Sequence, residues 1–353
     1  MKAAVQQRYF TEQLLHWHQE ENNRQLPWKN EKNPYKIWLS EIILQQTRAE
    51  QGLPYYHKFI AQYPDVHSLA NAADEVVFLL WQGLGYYSRC RNLLKAARII
   101  SQQYDGKFPE KFEEIIALPG VGNYTASAIA SFGFGLPHAV VDGNVYRVLS
   151  RYFGIDTAID STVGKKEFAQ LADELLDRKR PAAYNQAIMD FGASVCKPQL
   201  PLCDTCYLAE KCVALKKDLI ALLPVKEKKL KVKERHFHYF LLEYKGEIFI
   251  SLRKEKDIWQ DLHEPYLIET ESDYKAQPAW HSISKEVAGE PEKIYTSRQR
   301  LTHQLIHSIF YRVAVKHKPA ALNEKGIWLQ KNKLKNYAFP KTIISFFNGN
   351  EYF

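Results

Sequence analysis

The sequence predicts two domains, a mainly helical one followed by a smaller one of mixed helices and strands. Apolar residues recur at helical spacing in many stretches of residues 1–222, whereas they alternate with polar residues from 236 onward. A lysine-rich stretch, residues 223–235, separates the two patterns and is typical of a linker. The length of 353 residues allows two domains that each bury a core of their own.

The overall charge favours a polyanionic partner such as nucleic acid. The formal net charge is +8 and the isoelectric point is near 9.0. No run of residues approaches the ~20 apolar positions that a membrane-spanning helix needs, and the first residues lack the apolar core of a signal peptide. We therefore expect an intracellular protein of a bacterial cytoplasm with no membrane partner.

A glutamate lies inside a strongly apolar helical stretch near the N-terminus. After a packing helix over residues 9–17, Pro34 opens a predicted helix over 34–47. Five apolar residues flank Glu41 there: Trp38, Leu39, Ile42, Ile43 and Leu44. Burial in such a helix raises the pKa of a carboxyl group, which suits a general acid. The alternative is a glutamate on the one wet stripe of the helix.

A glycine-rich turn and an aspartate follow in the middle of the helical domain. After two predicted amphipathic helices over 67–104, residues 112–130 predict two helices joined by Leu118-Pro-Gly-Val-Gly122. Glycines allow a tight turn and leave backbone N–H groups for an anion, such as a phosphate at a helix N-terminus. Asp142, about twenty residues after the glycines, opens a third helix, where it is either a functional carboxylate or simply a helix cap.

Four of the five cysteines lie within residues 196–212, after a helical stretch over 165–195 in which Asp190 is interpreted as part of a polar face. In a reducing compartment such a cluster more often binds metal than forms disulfides. The cysteines are separated by six, two and five residues: Cys196, Cys203, Cys206 and Cys212. A compact run of four thiolates suits one [4Fe–4S] cluster. Zinc is the alternative, although zinc sites more often show two separated Cys-x-x-Cys pairs.

These motifs together resemble the helix-hairpin-helix DNA glycosylases of the endonuclease III superfamily, and within it the MutY-type adenine DNA glycosylases. The stretch from Trp38 to Thr47 with Glu41, the segment Gly83 to Arg89, the hairpin with Asp142 and the cysteine spacing carry the resemblance. It implies a mainly α N-terminal helix-hairpin-helix glycosylase domain with an iron–sulfur loop at 196–212. It also implies a smaller α+β Nudix-like C-terminal domain over 236–353, and a [4Fe–4S] cofactor on the four cysteines.

The resemblance also implies a chemistry. Glu41 would protonate N7 of adenine, and Asp142 would stabilise or trap the sugar cation. Two carboxylates flanking a glycosidic bond are the general solution for such cleavage. Asn144 would orient Asp142, and Tyr124 would hydrogen-bond the acidic site. Relatives that cleave through a Schiff base carry lysine at the position of Tyr124, and a tyrosine cannot form an imine. We therefore predict a monofunctional glycosylase that uses water.

The implied partner is duplex DNA that contains adenine opposite 8-oxoguanine or guanine, bound by a monomer. In this family the hairpin amides hold phosphates, two side chains wedge into the base stack, one reads adenine, and a C-terminal Phe-Ser-His loop reads 8-oxoguanine. The matching residues here are Gly120, Val121 and Gly122 for the hairpin, Gln46 and Tyr86 for the wedge, Gln186 for adenine, and Thr302 and His303 for the loop. Leu301 replaces the aromatic residue of that loop.

The C-terminal part predicts strands. Alternating apolar residues indicate a hairpin over 236–252 that turns at Lys245-Gly246, a strand over 303–315 and a short strand over 327–329, and residues 340–347 indicate a final helix. A Nudix box of glycine and clustered glutamates is not found in the sequence, so we predict no pyrophosphatase activity.

Two other functions compete with adenine removal. One is an endonuclease III-like enzyme that acts on oxidised pyrimidines with a lyase step, against which Tyr124 argues. The other is a catalytically silent iron–sulfur module that binds DNA, against which the pair Glu41 and Asp142 argues.

Overall fold

A computed structural model of the chain describes residues 2–227, 232–350 and 352. The chain folds as two compact units. The first contains Met1–Asn71 and Asn92–Lys228, and the second contains Ala72–Arg91 and Lys229–Phe353. Residues 72–91, which the sequence analysis includes in the helical domain, therefore cluster with the C-terminal part of the chain. Within the second unit the backbone N–H of Phe339 donates to Oε1 of Gln82 at 2.9 Å.

Helices make up the N-terminal part of the chain. In chain order they are α1 (Lys2–Glu20), α2 (Pro34–Leu44), α3 (Ala49–Gln62), α4 (Val66–Ala70), α5 (Asp74–Trp81), α6 (Ser88–Gln103), α7 (Phe112–Ile116), α8 (Asn123–Phe134), α9 (Gly143–Phe153), α10 (Thr162–Leu175), α11 (Pro181–Ser194), a 3₁₀ turn (Ala209–Lys211) and α12 (Val213–Lys216). Three helices rather than the predicted two occupy 67–104. A first break separates α4 from α5, where Ala73 is extended, and a second separates α5 from α6, where Gly83 and Gly85 adopt positive φ angles.

The core of the first unit forms where α1, α9, α10 and α11 meet. Its large side chains are fully buried: Phe10, Leu14, Tyr152, Phe168 and Phe191. The ring centroids of Phe10 and Tyr152 lie 4.8 Å apart, and Trp17 meets Phe191 edge-on at 5.0 Å. This packing fixes α9 and α11, the two helices that present Asp142, Asn144 and Gln186.

The predicted helix-hairpin-helix is formed by α7 and α8. Gly120 has a φ of +78°, and a Cβ atom there would lie 2.8 Å from Cβ of Asn92, so both backbone conformation and space require glycine. The N–H of Val121 donates to the carbonyl of Leu118 at 3.1 Å and closes the turn. Gly122 is then the N-cap of α8.

The second unit is built on a seven-stranded mixed sheet. Its strands are β1 (Lys233–Tyr244), β2 (Glu247–Leu252), β3 (His263–Glu264), β4 (Tyr266–Glu269), β5 (Glu292–Arg300), β6 (Gln304–Ala314) and β7 (Ile327–Gln330). The order is β3-β2-β1-β6-β5, while β4 pairs with β1 and β7 with β2. Strands β1 and β6 are parallel, and the other pairs are antiparallel. Helices α13 (Pro278–Ser284) and α14 (Lys341–Gly349) complete the unit, with short 3₁₀ turns at Tyr274–Ala276, Ala320–Leu322 and Lys331–Asn336.

Both faces of this sheet are covered. On one face Phe240 and Leu242 pack with Trp280 and Ile283 of α13. On the other, Phe310 stacks on Phe346 of α14 with centroids 4.5 Å apart. Strand β1 is therefore buried on both sides from Tyr239 to Leu242, although the alternation in its sequence suggests one solvent-exposed face. No helix among the described residues is long and apolar enough to cross a membrane.

Candidate active site

Glu41 lies in the third turn of α2 and is buried, with 7% of its surface exposed. The asparagine cap at Asn33 and the proline at N1 fix where the helix begins. Burial raises the pKa of Glu41 to about 7, and the charge of Asp142 acts in the same direction, whereas a hydrogen bond from Tyr124 opposes them. Of the two interpretations of Glu41, the buried carboxyl group is therefore the one the structure shows.

Asp142 caps the N-terminus of α9. Its Oδ1 accepts the backbone N–H of Val145 at 2.8 Å, and its Oδ2 accepts the side-chain amide of Asn144 at 2.7 Å. Burial raises the pKa of Asp142, and these two hydrogen bonds oppose that rise because they favour the carboxylate. The residue is thus both a helix cap and a carboxyl group that lines the same cleft as Glu41.

Buried polar contacts fix the position of Asp142. Asn144, its hydrogen-bond partner, accepts in turn from the guanidinium of Arg147 at 2.8 Å. The same guanidinium nitrogen donates to the carbonyl of Gly192 on α11 at 2.7 Å. A Cβ atom on Gly192 would lie 2.6 Å from Cβ of Asn144, so the glycine permits the close approach of α9 and α11.

Tyr124 is the second residue of α8 and links the two acids. Its hydroxyl is hydrogen-bonded to Glu41, and burial together with the charges of Glu41 and Asp142 raises its pKa well above 10. The phenol is therefore protonated at neutral pH and acts as a donor toward Glu41.

Six predicted site residues line one cleft of about 1080 Å³ in the first unit. They come from separate segments of the chain: Glu41, Gln46, Tyr124, Asp142, Asn144 and Gln186. The cleft also contains Arg24, Trp28, Lys179 and Arg180, which the sequence analysis does not identify. Basic and aromatic side chains in the segments before α2 and α11 are the signal in the sequence, but single residues in loops give little evidence without the fold.

A buried charge network lies beneath Gln186. Its side-chain amide donates to Oδ2 of Asp190 at 2.9 Å. Asp190 is fully buried and pairs with Arg24 at 2.8 Å and with Lys29 at 3.2 Å. The interpretation of Asp190 as part of a polar helix face is therefore wrong, because its partners come from a loop near the N-terminus.

Gln46 lines the cleft, whereas Gly120, Val121 and Gly122 of the hairpin are outside its described lining. Helix α2 ends at Leu44, three residues earlier than predicted, and Gln46 is exposed with a φ of +54°. The N–H of Val121 is used inside the hairpin turn. Gly122 is exposed at the N-terminus of α8, where an anion would meet the helix end.

Three of the predicted residues lie in the second unit. Tyr86 is 44% exposed, has a φ of +48°, and its hydroxyl lies 2.5 Å from Oγ1 of Thr302. The guanidinium of Arg89 lies 5.5 Å from the centre of the Tyr86 ring. His303 is exposed beside Thr302, and its carbonyl accepts the N–H of Lys233. The structure thus brings Tyr86 and the Leu301–His303 loop together.

The four clustered cysteines are free thiols, all partly buried, in the loop that follows α11. Arg151 of α9 supports this loop by donating to the carbonyl of Lys197 at 2.7 Å, and it lies 3.6 Å from Sγ of Cys196. Burial, with the charges of the other three cysteines, raises the pKa of Cys206 to about 12. Four sulfur donors whose thiolates destabilise one another fit a metal centre, because a bound cation removes that cost.

Comparisons with known proteins agree with this geometry. Residues 39–175 match the model of the HhH-GPD superfamily of base excision DNA repair proteins, and residues 238–348 match that of the NUDIX domain. The adenine DNA glycosylase of Buchnera aphidicola subsp. Schizaphis graminum is 32% identical over 338 residues, which cover 95% of this chain and 96% of the relative. That of Buchnera aphidicola subsp. Baizongia pistaciae is 38% identical over 254 residues, 72% of each chain.

A solved structure supports the fold of the N-terminal part. A thermostable thymine-DNA glycosylase superposes with a TM-score of 0.57 at 28% identity, over 62% of this chain and 100% of that chain. The predicted fold class, a helix-hairpin-helix glycosylase domain followed by a Nudix-like domain, is confirmed. Since one relative matches over nearly its whole length, the chain belongs to the adenine DNA glycosylase family.

Proposed function

We propose that this protein removes adenine from duplex DNA in base excision repair by hydrolysing the N-glycosidic bond of adenine opposite 8-oxoguanine or guanine. The single observation that carries the proposal is the pair Glu41 and Asp142, which line one cleft with Tyr124 hydrogen-bonded to Glu41. The names and coverage of the relatives support the same activity.

Glu41 is the general acid. An enzyme that acts on a base inside a duplex flips the nucleotide into a pocket, and this cleft is open to solvent at its rim and lined by Glu41 at its base. With a pKa of about 7, a large fraction of Glu41 is protonated near neutral pH. The acid donates its proton to N7 of adenine, which makes the base a better leaving group.

Asp142 stabilises the sugar as the base departs. Cleavage of a glycosidic bond develops positive charge on the sugar ring. The hydrogen bonds from Val145 and Asn144 favour the ionised carboxylate. A pair of carboxyl groups held in different environments divides into an acid and an ionised partner. We assign Glu41 as the acid and Asp142 as the ionised partner, because these hydrogen bonds oppose the effect of burial on the pKa of Asp142.

Water completes the reaction. Position 124 carries a tyrosine, and its phenol has no amine that could form an imine. The product is an abasic site in an unbroken strand, and the enzyme is monofunctional.

Gln186 recognises adenine. The pKa of Asp190 is lowered: burial acts to raise it, but hydrogen bonds from Asn22, Arg24 and Gln186 outweigh burial. An ionised carboxylate only accepts hydrogen bonds, so the NH₂ of Gln186 faces Asp190 and its carbonyl oxygen is left as an acceptor. The exocyclic N6 amine of adenine supplies the matching donor, whereas guanine presents the O6 acceptor at that position.

The cysteine loop holds the [4Fe–4S] cluster. Cys196, Cys203, Cys206 and Cys212 would be its ligands, and the four-sulfur donor set suits iron–sulfur ligation. The bound cluster would supply structural order for residues 196–212. Arg151, which already spans from α9 to this loop, keeps the loop attached to the helix that carries Asp142.

The C-terminal unit reads the base opposite adenine. Thr302 keeps the hydroxyl donor and acceptor expected of a residue that contacts 8-oxoguanine, and its contact with Tyr86 supports this role. An exposed tyrosine held in a left-handed backbone conformation is suited to stacking between bases. Tyr86 and Gln46 are the proposed wedges.

Cleavage of a duplex with a single adenine opposite 8-oxoguanine tests the proposal. Under single-turnover conditions we expect strand breaks only after alkali treatment, because an abasic site breaks in alkali. Breaks without alkali would require an amine nucleophile and would contradict the monofunctional mechanism. Tight binding of the duplex without any adenine release would contradict the proposed activity and would indicate a catalytically silent DNA-binding module.

A further inference from the structure

Two histidines and a glutamate lie together on one face of the C-terminal sheet, and we propose that they bind a divalent transition-metal ion of the zinc type. The parallel pairing of β1 and β6 places His236 opposite His307. Glu234 precedes His236 by two residues, so it points to the same face of β1. The proposed glycosylase chemistry uses none of the three residues.

The three side chains converge within ligand distance. The imidazole rings of His236 and His307 stack at 8° with centroids 4.7 Å apart. Nε2 of His307 lies 3.1 Å from a carboxylate oxygen of Glu234. One ligand atom from each residue lies within 4.8 Å of the other two. Bonds of about 2.0–2.2 Å to a tetrahedral zinc hold ligand atoms somewhat over 3 Å apart, so small side-chain rotations close the site.

The donor set selects the class of ion. Two imidazoles and one carboxylate are a known ligand set of open zinc sites, in which water takes the fourth position. Imidazole favours zinc, copper and nickel over magnesium and calcium, which prefer oxygen ligands. The side chain of His307 is 30% exposed and that of Glu234 is 57% exposed, so both an entry path and room for water exist.

The backbone beneath the site is fixed. Strands β1 and β6 are in register from Lys233 and Gln304 to Glu243 and Ala314. Ligands on paired strands are held more accurately than ligands on loops. Among the described residues of the paired strands, Arg298 of β5 opposes a cation, because it pairs with His307 and shares its face. Arg298 is exposed, so water screens its charge.

A bound ion would cross-link the N-terminal ends of β1 and β6. His303 precedes β6 directly, and its carbonyl accepts the N–H of Lys233 at the first residue of β1 at 2.9 Å. A metal held by Glu234, His236 and His307 would tie the same two strand ends through side chains. The segment held in this way is the one next to Thr302.

Zinc binding by the full-length protein tests the site. Protein whose cysteine loop holds iron is first cleared of other metals with a chelator. It is then titrated with Zn²⁺ by calorimetry, and bound zinc and iron are measured in the same samples. We expect one zinc per chain. His236→Gln and His307→Gln should each weaken binding by more than about tenfold, since even second-shell partners of metal ligands contribute 10–100-fold.

A matched control separates this site from general histidine effects. His281→Gln removes an exposed histidine of α13 and should bind zinc like the wild type. Equal zinc affinity in His307→Gln and His281→Gln would overturn the proposal, and so would the absence of zinc binding in the wild type. If a histidine variant unfolds, Glu234→Gln tests the site instead. Glu234 is exposed, and its replacement by glutamine removes only the charged ligand, so weaker zinc binding is expected and unchanged binding would overturn the proposal.

Discussion

The hydroxyl of Tyr124 donates a hydrogen bond to the buried carboxyl group of Glu41, which joins α8 to α2 at the base of the cleft. The bond stabilises the ionised form of Glu41 and therefore lowers its pKa, whereas burial and the charge of Asp142 raise it. The result is a pKa of about 7, at which an acid both holds and releases a proton near neutral pH.

Replacing Tyr124 with phenylalanine should shift the pH dependence of adenine release to higher pH. Without the hydrogen bond, burial dominates, so the pKa of Glu41 rises above 7 and the acid stays protonated to higher pH. The basic limb of the single-turnover rate of adenine release should shift to higher pH in Tyr124→Phe. Tyr146→Phe, which alters another tyrosine of the cleft, is the control and should leave the limb in place. A downward shift would contradict the assigned hydrogen bond.

Replacing Asp142 with asparagine should remove the charge that stabilises the sugar while keeping a helix cap. We expect the single-turnover rate to fall by at least roughly 10²–10³-fold, the usual effect of losing one electrostatic stabiliser of a transition state. The pKa of Glu41 should fall as well, because the charge of Asp142 contributes to its rise. A thermal melt close to that of the wild type would show that the variant is folded. A rate within a few-fold of the wild type would be incompatible with the proposed role.

The side-chain carbonyl oxygen of Gln186 should make the enzyme prefer a base that carries the N6 amine of adenine. The substrate pair that tests this is adenine against purine, which lacks the amine. Wild-type protein should prefer adenine, and Gln186→Ala should lose most of that preference by slowing adenine more than purine. Gln170→Ala, on the exposed side of α10, is the control. An unchanged ratio of the two rates would exclude Gln186 as the reader.

Asp190 should stabilise the fold in a pH-dependent way. Its pKa is lowered, because hydrogen bonds and the charge of Lys29 outweigh burial, so its contribution is present above the unfolded pKa of about 3.9 and is lost as the pH falls through the folded value. Asp190→Asn leaves Arg24 and Lys29 without their carboxylate and should cost about 3 kcal/mol at pH 7. Denaturant unfolding measures the difference, which should shrink below pH 4. A constant difference from pH 7 to pH 3 would contradict this assignment.

The four cysteines of the loop should determine the iron content. Replacing Cys203 or Cys206 with serine should reduce bound iron and the visible absorbance of the cluster. Cys90→Ala is the control: Cys90 is fully buried in the second unit, whereas the four clustered cysteines belong to the first, so the iron content should not change. Full iron content in Cys203→Ser, or zinc in place of iron in the wild type, would argue against the proposed cluster.

The local features of the site could be predicted because short stretches encode them. The apolar run around Glu41, the glycine turn at Gly120 and the capping aspartate at position 142 each specify their structure within a few residues. The cleft unites them because α8 packs against α2, and α11 against α9. Periodicity does not link these separate stretches, whereas the family resemblance does.

Other features depend on contacts that sequence patterns do not encode. Asp190 is buried because Arg24 and Lys29 reach it from a distant loop, and no local pattern indicates such a partner. Strand β5 was not predicted, because it lies at an edge of the sheet and its residues, Glu292 to Arg300, are mostly polar and exposed or half-buried. The contact between Tyr86 and Thr302 likewise joins residues far apart in the chain.

The most direct measurement is the single-turnover rate of adenine release by Glu41→Gln from a duplex with adenine opposite 8-oxoguanine, with duplex affinity measured in the same samples. Glutamine keeps the shape of Glu41 but donates no acidic proton, so the rate should fall by roughly 10²–10⁴-fold, the usual contribution of a general acid. Duplex affinity should stay near that of the wild type, and Glu167→Gln, an exposed glutamate of α10, should change neither quantity. Adenine release at the wild-type rate in Glu41→Gln would show that Glu41 is not the acid.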